Sequence, residues 1–216
     1  VEALGAGQHL LALGDANALL ASQVALIRLG LRRSGKMRLL ILTPDSTALH
    51  AALQQEGIAW TTFEDAGEWQ VYNPTAFQDA QGLPDWEALE TTLFEMERAC
   101  DPPGCALFVI LETAALSPHC ATPSALLDLE FRIADWVKSL PAVFLCCYDQ
   151  RLFTAQELLG VLDQHPIVML GASWYPNTRC IAMDPQLSAR VLERRLQELT
   201  ASEANVRVGG GAPLTG

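Results

Sequence analysis

The stretch CALFVIL, residues 105–111, is apolar at every position. It follows the turn former Asp101-Pro102-Pro103-Gly104, and a second run of the same character, Val143–Cys147, follows Pro141. A strand that is apolar on every residue is typical of a sheet covered on both faces. We therefore predict that both runs are interior strands of a mainly parallel sheet.

Strand-like runs alternate with amphipathic segments of helical length on either side of these two strands. The further predicted strands are His9–Leu13, Met37–Leu42, Ile58–Phe63, Ile167–Leu170 and Arg179–Met183, the last two as an antiparallel pair. The predicted helices span residues 16–33, 43–55, 85–99, 122–139, 154–164 and 185–200. Asp85 is a predicted N-cap, and Thr154 with Glu157 a predicted capping box. This alternation predicts an α/β fold in which helices cross over a parallel sheet.

The region between Glu64 and Leu83 is rich in turn formers but carries Trp69 and other aromatics, so we expect a loop that packs onto the domain. We predict one domain over residues 1–201 and a disordered tail over 202–216. The helix 185–200 combines a leucine stripe with charges of both signs, which suits either closure of the core or a homodimer. The chain starts without Met, so we expect a processed or excised piece.

Charge and composition narrow the range of partners. Fourteen Lys and Arg stand against 25 Asp and Glu, a net charge of −11. An acidic surface repels phosphate backbones and anionic lipid, so we expect no direct binding of nucleic acid or of a membrane surface. The acidity is also explained by solubility alone. No transmembrane run and no signal peptide are visible, which predicts a cytoplasmic protein.

The six cysteines include no CxxC pair, and we expect them to be reduced. His119-Cys120 matches no zinc spacing, so the sequence predicts no metal and no cofactor. His165-Pro166 is interpreted as the C-terminal end of a helix, where a histidine suits the dipole better than it suits a catalytic base.

A phosphate loop of the pattern GxxxxGK[ST] is expected after the first strand of many α/β proteins. Counting from Gly14, the positions of the second glycine, the lysine and the hydroxyl are Leu19, Leu20 and Ala21. We predict a degenerate loop that does not bind ATP. The sequence also lacks GxSxG, HExxH and GxGxxG patterns, so we predict that the protein is not an enzyme.

Two polar places follow predicted strands at their carboxyl ends, where α/β folds bind ligands. Glu112 follows the run 105–111, and Tyr148-Asp149-Gln150-Arg151 follows Val143–Cys147. We predict a ligand site in a crevice between Glu112 and Tyr148, with Asp149, Arg151 and Trp69 as further candidates. Equally open at this point is that Asp149 and Arg151 only build the turn into the next helix.

The stretch 147–153, CYDQRLF, followed by His165-Pro166, resembles the signature of the methanogen/methylotroph sensory domain, MEDS. Further similar segments are Gly7-Gln8-His9, Gly30–Arg33, Trp69, Glu112, Leu126–Phe131 and Tyr175-Pro176-Asn177. Departures include Leu111-Glu112-Thr113 in place of Gly-Glu-Met, and Lys36 in place of a glutamate. The resemblance implies a three-layer RecA-like fold related to KaiC, with an eroded phosphate loop.

The resemblance also implies a sensory module that binds a small molecule or a protein partner. Such a module relays the signal to an output domain in transcriptional or kinase signalling. The alternative is a ligand-free, dimerising pseudo-ATPase scaffold. A third interpretation, hydrolase or transferase chemistry at Glu112 and Asp149, is opposed by the missing nucleophile and metal pattern.

Overall fold

A computed structural model of the protein describes residues 7–34, 37–100, 106–116, 123–178 and 180. The strands are β1 (Gln8–Gly14), β2 (Met37–Leu42), β3 (Trp69–Tyr72), β4 (Ala106–Glu112), β5 (Ala142–Asp149), β6 (Ile167–Leu170) and β7 (Ser173–Pro176). The helices are α1 (Ala16–Ser34), α2 (Thr47–Gln55), α3 (Trp60–Asp65), α4 (Trp86–Arg98), α5 (Thr113–Leu116), α6 (Pro123–Ser139) and α7 (Ala155–Leu162), with a 3₁₀ turn at Pro74–Phe77.

The described strands form one seven-stranded sheet in the order β3-β2-β4-β5-β1-β6-β7. Neighbours pair in parallel except β6 and β7, which pair antiparallel. β4 lies between β2 and β5, and β5 lies between β4 and β1, which confirms that both apolar runs are interior strands. Their side chains are almost completely buried because helices cover both faces of the sheet.

Helices pack on the two faces as separate layers, which makes the domain a three-layer α/β structure. One face carries α1, α2 and α3, whose buried side chains include Leu26, Leu53 and Trp60. The other face carries α4, α6 and α7, with Leu93, Ile133 and Val161 among their buried side chains. The predicted fold class is therefore confirmed.

Local signals set two helix starts as predicted. The Asp85 carboxylate accepts a hydrogen bond of 3.0 Å from the Ala88 backbone N–H at the start of α4. At α7, the Thr154 hydroxyl and the Glu157 carboxylate form both halves of a capping box. Short polar side chains at these positions satisfy N–H groups that the helix itself leaves unpaired.

The predicted strand Ile58–Phe63 is wrong. Residues from Trp60 onward form α3, and the edge strand of this region is β3, inside the segment that we expected to be a loop. Trp60 and Phe63 are spaced by three residues and pack on Trp69, with ring centroids 5.1 and 4.2 Å away. That spacing places both rings on one face of a helix, and a strand would have turned them to opposite faces.

The antiparallel partner of β6 comes earlier in the chain than predicted. β7 follows β6 through a tight turn at Gly171, which has a φ of 59° and so adopts a conformation that favours glycine. The predicted strand Arg179–Met183, apart from Cys180, lies outside the described residues, as do the predicted helix 185–200 and the tail 202–216.

Candidate functional site

The candidate site lies at the carboxyl edge of the sheet, where the chain connections change side. α1 leaves β1 over one face, whereas α6 reaches β5 and α7 reaches β6 over the other. Connections that diverge in this way open a crevice beyond the strand ends, and ligands of α/β folds bind there. In this domain the crevice lies between the start of α1 and the ends of β2, β4 and β5.

A cavity of about 320 Å³ occupies this crevice, and we call it the sheet-edge cavity. Its lining is Ala16, Asn17, Leu19, Leu20, Gln23, Asp45, Ala48, Leu49, Glu112, Ala114, Cys147, Asp149 and Leu152. Most of these side chains are apolar, and none of the described lining residues is Lys or Arg. The charged groups of the lining are the three carboxyl groups of Asp45, Glu112 and Asp149.

Hydrogen bonds from two other parts of the fold hold the Glu112 carboxyl group in place. Its Oε1 accepts a hydrogen bond of 3.0 Å from Gln23 Nε2 on α1, and its Oε2 accepts one of 2.8 Å from the Thr43 hydroxyl after β2. Thr43 in turn accepts the Asp45 backbone N–H at 3.2 Å. A carboxylate oxygen can accept two hydrogen bonds, so each oxygen keeps a free position for a ligand. The carboxyl group is thus oriented before any ligand arrives.

The other two carboxylates are kept ionised by hydrogen bonds. The Arg151 guanidinium, 2.6 Å from Asp149 Oδ2, lowers the pKa of Asp149. Hydrogen bonds from Thr47 lower the pKa of Asp45. Arg151 is mostly exposed and does not line the cavity. Arg151 balances the charge of Asp149, so Asp45 and Glu112 are the carboxyl groups that make the cavity electronegative and suited to neutral or cationic groups.

The residues predicted as a degenerate phosphate loop form no loop. Gly14 ends β1, Asp15 is the single residue before α1, and Leu19, Leu20 and Ala21 belong to the first turns of that helix. The Asp15 carboxylate accepts the Ala18 N–H at 2.9 Å, so a negative charge occupies the helix start where a phosphate would bind.

Tyr148 does not share the cavity with Glu112. Side chains alternate along a strand, so Tyr148 faces α6 while Cys147 and Asp149 border the cavity. The Tyr148 hydroxyl donates to Glu130 on α6, and the ring is fully buried. The expected crevice thus brings together Glu112 and Asp149 but not Tyr148.

Trp69 is also away from the cavity. It lies on β3 at the far side of the sheet, is 1% exposed, and stacks on Phe63 in the core under α3. The turn formers around it led us to expect a loop packed onto the domain, but these residues bound a short strand.

Gln23, Thr43 and Asp45 belong to the site and were missed. Gln23 is only 3% exposed on α1, where the buried side chains Leu19, Leu26 and Ile27 are apolar and Ser22 is also polar. A polar residue on the apolar face of a helix needs a hydrogen-bond partner, and that signal was available in the sequence. Thr43 and Asp45 were interpreted only as a helix start.

A model of a known protein family matches most of this chain. The sequence profile of the family described as "MEthanogen/methylotroph, DcmR Sensory domain" matches residues 9–166. The chain belongs to the MEDS family. The matched region contains the whole lining of the sheet-edge cavity, and the family description gives this MEDS domain a sensory or signalling role. No curated protein matches the chain.

Among solved structures, the MEDS domain is similar to a KaiC-like protein, PH0186, from the hyperthermophilic archaeon Pyrococcus horikoshii OT3. The TM-score is 0.50 at 10% identity, and the likeness covers 76% of this chain and 70% of the other. At this identity the comparison shows the fold alone, which agrees with the RecA-like fold that the sequence resemblance implied. In the described part of the chain, no helix combines the length and the apolar character that a membrane crossing needs.

Proposed function

We propose that this MEDS domain binds a small molecule in the sheet-edge cavity and relays its presence to an output domain or a protein partner, without catalysing a reaction. The observation that carries the proposal is the Glu112 carboxyl group, oriented by Gln23 and Thr43 at the wall of a cavity of about 320 Å³. Small-molecule sites combine a mostly apolar lining with a few fixed polar groups, as this cavity does.

The lining favours a particular class of ligand. The Asp45 and Glu112 carboxyl groups disfavour anions, because an anion would lose its hydration beside them and find no basic residue in the lining. Asp149 adds little to this effect, since Arg151 balances its charge. Apolar side chains such as Leu19, Leu49 and Leu152 suit a short hydrocarbon portion. The class that fits is a small neutral or cationic molecule with a hydrogen-bond donor for Glu112.

A relay is supported by the position of Glu112 between three elements. Its partners lie on α1 and after β2, and it is itself the last residue of β4. A ligand that competes with the hydrogen bonds of Glu112, or strengthens them, makes one arrangement of α1, β2 and β4 more stable than another. Ligand binding is coupled to a distant output in this way.

The absence of catalysis is proposed from the chemistry of the lining. Cys147 is its one thiol, and burial raises the pKa of that thiol, so it stays protonated and weakly nucleophilic. No histidine is among the described residues that line the cavity. Since the described lining holds neither an activated nucleophile nor a histidine base, binding without turnover is the function that we propose for the cavity.

Calorimetry with a matched set of probes tests the proposal. n-Butylammonium and n-butanol are expected to bind, and butyrate, which has the same chain length and a negative charge, is not. Glu112→Gln should weaken n-butylammonium binding by roughly tenfold, as expected for loss of a charged hydrogen bond. The control Asp135→Asn, at an exposed carboxylate on α6, should leave the affinity unchanged.

A second measurement addresses the natural ligand. Native mass spectrometry of the protein purified from its own host should show a retained adduct that Glu112→Gln loses. If no probe binds and no adduct is retained, a ligand-free scaffold would be the better account of this domain.

A further inference from the structure

A second polar cluster lies on the other face of the sheet, among apolar side chains. It consists of His9 on β1, Glu130 on α6, Cys146 on β5 and His165 after α7, and each is at most 4% exposed. One nitrogen, oxygen or sulfur atom from each residue lies within 4.8 Å of all the others. We call these residues the buried cluster.

The hydrogen bonds around the cluster leave acceptors facing one another. His165 Nδ1 is 2.8 Å from the Val161 carbonyl oxygen, which can only accept, so Nδ1 carries the proton. In the neutral ring, Nε2 is then a bare acceptor, and it lies 3.3 Å from Glu130 Oε2. Neither atom has a hydrogen-bond partner of acceptable geometry.

His9 and Cys146 are the other two members of the buried cluster. His9 Nε2 is 3.2 Å from Glu130 Oε2 and also 3.2 Å from Cys146 Sγ. A proton on His9 Nε2 can satisfy one of these two contacts, and it leaves His165 Nε2 without a donor. Glu130 Oε2 and His165 Nε2 are thus left without a partner at a site closed to water, and unpaired buried polar atoms are costly.

We propose that the buried cluster is a binding site for a single divalent transition metal of the zinc class, with His9 Nε2, His165 Nε2, Glu130 Oε2 and Cys146 Sγ as its ligands. Imidazole nitrogen, carboxylate oxygen and thiolate sulfur are the donors that zinc takes in four-coordinate sites. Ligands around a tetrahedral zinc lie about 3.3–3.6 Å apart, from their usual distances to the metal. Three of the six separations between the ligand atoms, 3.2, 3.2 and 3.3 Å, are close to that range, and all six are within 4.8 Å.

The surroundings of the cluster support this assignment. The Val161 carbonyl orients the His165 ring and fixes its proton on Nδ1, and the Tyr148 hydroxyl holds the second oxygen of Glu130. Metal-bound histidines and carboxylates usually form such hydrogen bonds with groups that do not themselves bind the metal. The metal's two positive charges also balance Glu130 and a Cys146 thiolate, so the complete site is neutral and suits full burial.

Four protein ligands leave no open coordination position, which makes the site structural or sensory and not hydrolytic. The sequence predicted no metal because the ligands lie at positions 9, 130, 146 and 165, and zinc motifs are recognised by ligands close together in the chain. The site is independent of the sheet-edge cavity, and its test does not depend on ligand binding there.

Cobalt substitution tests the proposal directly. The untagged full chain, refolded with Co²⁺, is expected to bind one equivalent and to show the thiolate-to-cobalt charge-transfer absorption and the intense visible bands of tetrahedral cobalt. Cys146→Ala should lose the charge-transfer absorption. The matched control is Cys147→Ala, the next residue of the same strand, equally buried but on the opposite face, and it should keep the absorption in full.

Zinc supplies the second readout. X-ray absorption of the zinc-loaded wild-type chain should show a four-coordinate shell with one sulfur, and this holds even if the Cys146 variant fails to fold. The proposal is overturned if the wild-type chain binds no stoichiometric metal, if the shell contains no sulfur, or if Cys147→Ala removes the cobalt–thiolate absorption while Cys146→Ala retains it.

Discussion

Cys146 and Cys147 are adjacent in β5, yet their side chains lie on opposite faces of the sheet. Cys146 Sγ is 3.2 Å from His9 Nε2 in the buried cluster, whereas Cys147 lines the sheet-edge cavity. The strand therefore contributes to two separate polar sites through consecutive residues. A change at either position reports on one site with little direct effect on the other.

Tyr148→Phe is expected to lower the free energy of unfolding by about 1–3 kcal/mol, because the Glu130 carboxyl loses its donor at a site with no access to water. Urea denaturation followed by circular dichroism measures the change. Tyr175→Phe is the matched control. That ring is 50% exposed, and its loss of a hydroxyl should stay within about 0.5 kcal/mol. Equal effects of the two substitutions would contradict the buried hydrogen bond.

Gly14→Ala should destabilise the domain by about 1–3 kcal/mol, since overpacking at a rigid contact forces the backbone to shift. A Cβ at Gly14 would lie 2.5 Å from the Ala18 Cβ, a side chain that cannot move away. At Gly160, inside α7, an added Cβ meets only the end of Leu127 at 3.4 Å. Gly160→Ala should therefore be neutral or stabilising by up to about 1 kcal/mol, from helix propensity. Thermal unfolding of the two variants compares them directly.

ATP with Mg²⁺ is expected to give no binding heat in calorimetry. The start of α1 is occupied by the Asp15 carboxylate, and the positions that would supply lysine and a hydroxyl are Leu20 and Ala21 in the helix. A dissociation constant in the micromolar range would show that nucleotide binds by a route other than a phosphate loop.

Thr154→Ala is expected to cost about 1 kcal/mol, because it removes the hydroxyl half of the capping box at the start of α7. Thr91→Ala, at an exposed position inside α4, serves as the control and should change stability little. Denaturant titration of both variants gives the comparison. A cost at Thr91 that matches the cost at Thr154 would argue against a role for the cap.

The sequence predicted the interior of the sheet well because apolar runs and cap residues are local signals. β4 and β5 follow from seven or so apolar residues in a row between turn formers. The β3 edge of the sheet was harder to predict. Both α3 and β3 are only a few residues long, which is too short for the spacing of apolar residues to separate a helix from a strand. Tertiary packing of Trp60 and Phe63 on Trp69 decided between helix and strand.

The candidate site was predicted in part. Glu112 and Asp149 follow interior strands, and the position alone led to the cavity that both now line. Tyr148 was misplaced although the alternation of side chains along β5 would have separated it from Asp149. The buried cluster could not be predicted, because His9, Glu130 and His165 come from three elements that are far apart in the sequence. They come together only in the folded sheet, where β1 lies between β5 and β6.

The junction between β1 and α1 has a consequence for any redesign of this domain. One residue, Asp15, connects strand and helix, and the lack of a Cβ at Gly14 leaves room for Ala18 of the helix beside the strand end. Point mutations that introduce lysine and serine at positions 20 and 21 would place them on a helix turn with no loop to close on a triphosphate. A nucleotide site at this junction would require an inserted loop, which substitutions alone do not supply.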